Sequence, residues 1–60
     1  MSEGRAATFK VWKTGPNNWH VYAKHDGTGE WMRADGLYTE VAAMFRGNVF
    51  CDFLEREAAS

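Results

Sequence analysis

"WHVYAK" (residues 19–24) decides how this chain folds. Three large rings and a lysine fall in six residues, too many to share one side of a strand. Side chains alternate across a β-strand, so Trp19, Val21 and Ala23 fall on one side and His20, Tyr22 and Lys24 on the other. The first set is apolar, and the second carries rings with polar or charged atoms. The stretch reads as a half-buried strand with one side for a core and one side left over.

The neighbouring segments repeat that pattern. In TFKVWK (8–13), Phe9 and Val11 point one way and Lys10 and Trp12 the other. TGPNN (14–18) supplies turn chemistry, with Pro fixing φ and Gly and Asn accepting positive φ. DGTG (26–29) is a second turn, and EWMRA (30–34) reads as a short third strand. A loop over 14–18 sets Val11 opposite Val21 and Phe9 opposite Ala23, and a loop over 26–29 sets Ala23 opposite Met32 and Lys24 opposite Trp31. One sheet face then collects Phe9, Val11, Trp19, Val21, Ala23, Met32 and Ala34. The other collects Lys10, Trp12, His20, Tyr22, Lys24, Trp31 and Arg33. A slip of one residue in either hairpin mixes the two sets, so patterning selects this register.

ADGLY (34–38) reads as a connection, followed by Thr39 as a helix N-cap and Glu40 in the first turn. Val41, Ala42, Phe45, Val49 and Phe53 recur at helical spacing and are expected to cover the first sheet face. On that assignment Phe45→Ala costs about 3–5 kcal/mol. Gly47-Asn48 interrupts the pattern. Either the helix runs from about 39 to 57 with a soft spot at Gly47, or Gly47 caps a short helix and NVFCDFL (48–54) forms a fourth strand. The helix-forming ending LEREAAS and the poor fit of Asp52 to a strand favour the long helix. The fold class is therefore α+β, a three-stranded antiparallel meander with one face covered by a C-terminal helix. All 60 residues form one small domain, with residues 1–6 a frayed arm.

A domain of this size buries only about 60 % of the surface its unfolded chain exposes. Cys51 is the one cysteine, so no disulfide within the chain adds stability. Aromatic payload compensates, with 15 % of residues Phe, Trp or Tyr. The lone thiol, the polar start MSEGRAA and the lack of an apolar run near the roughly 20 residues needed to cross a bilayer lead to an expectation of a cytoplasmic protein without membrane contact. A net charge of −1 argues against attraction to nucleic acid by bulk charge.

Candidate chemistry is sparse. His20 and His25 fall on opposite strand faces and make a poor metal pair, even with Cys51 on the far element. No third residue is placed to orient a Cys51–His nucleophile pair. DGTGE (26–30) lacks the lysine and following helix of a phosphate cradle. Asp26, Glu30, Asp35 and Glu40 form an acidic rim around the connections. The expectation is no enzyme, no cofactor and no metal.

What remains is the second sheet face, because one helix covers one face. Exposed Trp, Tyr and Arg are the residue types that anchor interfaces. Lys10, Trp12, His20, Tyr22, Lys24, Trp31 and Arg33 are therefore the expected partner-binding residues. The element order is similar to that of the three-stranded-sheet-plus-helix DNA readers of the integrase arm-binding kind, whose sheet lies in the major groove. That similarity implies nucleic-acid binding by the same face, with base stacking on the rings as a variant. Near-neutral charge and aromatic richness favour a protein-binding module acting as a monomer or homodimer. Its partner would belong to a larger host or viral complex, and a phage or mobile-element inhibitor of the anti-CRISPR kind fits that composition.

Overall fold

The computed structural model describes residues 6–59. The chain runs β1 (Ala7–Gly15), β2 (Asn18–His25), β3 (Trp31–Leu37) and α1 (Glu40–Ala59). The strands form an antiparallel sheet in the order β1-β2-β3, and α1 packs across one of its faces. The α+β architecture is the one expected. Among the described residues no fourth strand forms, because 48–54 continues the helix. Of the arm expected at 1–6, only Ala6 lies within the described residues, and its carbonyl accepts the Asp26 amide at 2.9 Å.

Register follows the side-chain sorting. Phe9 pairs with Ala23 and Val11 with Val21 across the first hairpin. Ala23 pairs with Met32 and Lys24 with Trp31 across the second. The hairpin ends depart from expectation. The first turn tightens to Pro16-Asn17, with Asn17 at φ 54° and Gly15 paired to Asn18, which leaves Thr14 as a bulge. The third strand does not stop at Ala34 but continues to Leu37. Trp19 pairs with Leu37 and Val21 with Ala34, so β3 carries an extra residue opposite His20. Gly36, at φ +72°, supplies the left-handed backbone for that bulge. In the second turn the buried His25 ring replaces missing backbone partners. Its Nδ1 accepts the amides of Gly27 and Thr28, both at 3.0 Å.

Thr39 caps α1, its Oγ1 accepting the Ala42 amide at 3.1 Å. Glu40 in the first turn and Arg56 in the last complement the helix dipole. The face that α1 presents to the sheet is not the expected one. Ala43, Gly47, Phe50, Cys51 and Leu54 are buried there against Ala7, Val21 and Ala23. Phe45 and Val41, expected in the core, are 69 % and 76 % exposed, with Val49 and Phe53 on the same outward ridge. Ala42 alone of that stripe is half-buried.

The physical reason lies with Gly47. A Cβ built there would stand 2.5 Å from Cγ and 2.6 Å from Cε2 of Phe9, so the helix rests its bare backbone on that ring. Glycine and alanine on this face let the helix come close to the small sheet residues Ala7, Val21 and Ala23. A phase placing Phe45 inward would hold it off the sheet.

Candidate functional site

Alternation along the strands, locked by the register, brings all seven expected residues to the face opposite α1. Lys10 pairs with Tyr22 and Trp12 with His20, while Tyr22 pairs with Arg33 and Lys24 with Trp31. No described element covers this face. Lys10, Lys24, Trp31 and Arg33 are exposed, whereas Trp12, His20 and Tyr22 are half-buried. The rings stiffen one another. Trp12 stacks on His20 with centroids 5.3 Å apart and planes 14° apart. Tyr22 and Trp31 meet on a diagonal at 5.9 Å.

The least expected feature is what surrounds His20. Both bulges deliver a side chain to its ring. Thr14 Oγ1 lies 2.7 Å from Nε2, and Asp35 Oδ1 lies 2.7 Å from Nδ1. A carboxylate only accepts, so Nδ1 carries a proton and donates to Asp35. In the neutral ring Nε2 then accepts from the Thr14 hydroxyl, whose oxygen accepts the Asn18 side-chain amide at 3.1 Å. Arg33 closes the chain by donating to Asp35 Oδ1 at 2.9 Å. Thr14, Asn18 and Asp35 were missing from the expected set, because a bulge is decided by strand pairing and leaves little mark in the sequence. Gly36 directly after Asp35 is the one signal that points to it.

Hydroxyl, imidazole and carboxylate in this order are the donor chain of a nucleophilic triad. Such a triad also needs donors for a developing oxyanion and shelter from water. Asp35 is open to solvent, and an Asn18 hydrogen already occupies the Thr14 oxygen. Two shallow hollows of about 230 and 280 Å³ lie elsewhere, the first beside Lys10, Tyr22 and Lys24 and the second between Phe9 and Cys51. Both fall below the usual size of small-molecule sites. The chain therefore serves best as a lock holding His20, only 15 % exposed, and Trp12 in one orientation. Among the described residues no group of three or more His, Cys, Asp or Glu is placed to hold a metal. Cys51 is fully buried.

Asp35 is held below its ordinary pKa of 3.8, first by the hydrogen bond from Arg33 and then by that from His20. A depressed carboxylate stabilises the fold above its unfolded pKa and loses that contribution as pH falls through the folded value. The window here lies below pH 3.8. Asp35→Asn should therefore lower the melting temperature slightly at neutral pH, with the gap closing in strong acid. The effect is small because the pair is solvated. A gap that widens on acidification would contradict the lock.

No family model matches the chain, and no curated protein and no solved structure matches it either. Among the described residues no helix is long and apolar enough to cross a membrane.

Proposed function

We propose that this chain is a small protein-binding module without chemistry of its own, and that its partner docks on the open sheet face. Trp31 carries this reading. It is 57 % exposed, held against Tyr22 and flanked by Lys24 and Arg33. A rigid ring presented to solvent beside Tyr and Arg has the composition of an interface hot spot. Shallow relief suits a macromolecule better than a small ligand. Three cations beside one carboxylate favour a partner with acidic groups around an apolar notch. Inhibition of a larger host or viral complex in the cytoplasm, in the anti-CRISPR manner, is the form of binding that so small a chain suits.

A second reading has one observation in its favour. Lys10, Lys24 and Arg33 stand among rings on which bases could stack, as in sheet-based nucleic-acid binders.

Salt separates the two. Phosphate contacts release counterions, so nucleic-acid affinity falls log-linearly with salt, while an aromatic-centred protein interface responds weakly. The experiment measures binding of a generic duplex, a generic single strand and the protein captured from lysate at two ionic strengths. Expected is a captured partner with weak salt response and no nucleic-acid binding at about micromolar concentrations in physiological salt. Micromolar nucleic-acid binding, lost on Lys10→Ala plus Lys24→Ala, reverses the order of the two readings.

A further inference from the structure

The outward ridge of α1 has no role in the fold or in the sheet-face site. Val41, Phe45, Val49 and Phe53 recur every four residues along it, with Met44 and Tyr38 alongside, and all six are exposed. Contiguous apolar surface of this kind is uncommon on a soluble monomer unless something docks there.

We propose that the occupant is a second copy of this chain, packed helix against helix about a twofold axis level with Gly47. Self-complementarity selects this occupant. An isologous interface sets the same patch against itself with residues exchanged in pairs. With the helices antiparallel about that level, Val41 lies beside Phe53 of the other copy and Phe45 beside its Val49. Each large ring meets a small branched side chain at both ends of the seam. The residues form an i, i+4 ridge, and two such ridges interdigitate at a crossing of roughly −50°. Exposed Arg46, Asp52, Arg56 and Glu57 surround the ridge as a polar rim. Antiparallel helices also oppose their dipoles favourably.

Size sets the strength. The 13 residues from Val41 to Phe53 span about 20 Å at 1.5 Å per residue. One helix–helix seam of that length falls short of the roughly 800 Å² per partner of a standard interface. The dimer is therefore reversible. Association also fits a chain with a thin core and no disulfide, since oligomerisation is a usual support for small domains. The two sheet faces then point outward on opposite sides, so the seam leaves the partner face open.

Sedimentation equilibrium over about 5–500 µM tests this, a range that brackets a weak dimer. The wild-type mass should rise from 6.8 kDa towards twice that value, and the melting temperature should rise with concentration. Phe45→Glu should stay monomeric while keeping the wild-type circular dichroism and dilute melting temperature, because Phe45 lies outside the core. Oxidation should link Val41→Cys/Phe53→Cys chains into covalent dimers but not Val41→Cys chains alone. A wild-type chain that stays at 6.8 kDa throughout, a Phe45→Glu variant that dimerises unchanged, or efficient linking of Val41→Cys alone would each overturn the seam.

Discussion

Replacing Gly47 by alanine is expected to destabilise the protein by about 2–4 kcal/mol, although helix propensity alone predicts a gain of about 1 kcal/mol. The opposing term is steric. The added methyl would lie 2.5 Å from Phe9 Cγ, at the root of the ring rather than its tip, so a small rocking of the ring does not clear it. The helix must lift from a close-packed face, or Phe9 must change χ1 and leave its place. Expelling the ring approaches the cost of a Phe→Ala truncation, about 3–5 kcal/mol. Lifting the helix opens gaps around Ala43, Cys51 and Leu54, which sit in the same seam. In a domain of this size each kcal/mol moves the melting temperature by about 4–8 °C. The check is a double-mutant cycle by thermal or urea unfolding. In a Phe9→Ala background the clash is gone, and Gly47→Ala should become neutral or stabilising. A higher melting temperature for Gly47→Ala in the wild-type chain would refute the close approach.

That glycine also explains where the sequence misleads about the helix. The strands were legible because a period of two leaves one choice of face. A one-residue slip in the first hairpin would turn Phe9 and Val11 away from the face that carries Val21 and Ala23. The helix offered two apolar stripes. The larger side chains, Val41, Phe45, Val49 and Phe53, make the stronger signal by hydrophobicity, yet they face out. The stripe that packs is built from Ala43, Gly47, Phe50, Cys51 and Leu54, with a glycine that propensity marks as a soft spot. Hydrophobicity scores what a side chain gains by leaving water and says nothing of how near two backbones must come. The bulges at Thr14 and beside Asp35 were hidden for a related reason. They arise from pairing two strands of unequal count, which no single strand records. The Lys10, Trp12, Tyr22, Lys24, Trp31 and Arg33 face was legible from alternation alone, and only the triad-like order around His20 required the structure.

Removing the Trp31 ring is expected to cost about 2 kcal/mol or more of partner binding, roughly a 30-fold loss of affinity. The ring is more than half exposed, so little of that loss can come from unfolding. Its diagonal contact with Tyr22 is worth about 0.5–1.5 kcal/mol beyond the area the ring buries. Trp12 makes a contrasting case on the same face. It stacks on His20 within the bulge-built lock, so Trp12→Ala should reduce stability and binding together. Lys10→Ala and Lys24→Ala should change affinity by less than the tryptophan and chiefly alter the association rate, as charges at a solvated interface edge do. The decisive measurement is calorimetry of the captured partner with Trp31→Ala, Trp31→Phe and Lys10→Ala, each first shown to melt near wild type. Trp31→Phe should recover part of the loss, because a smaller ring still fills part of an apolar notch. If Lys10→Ala weakens binding more than Trp31→Ala, charge dominates the face and Trp31 is not its anchor.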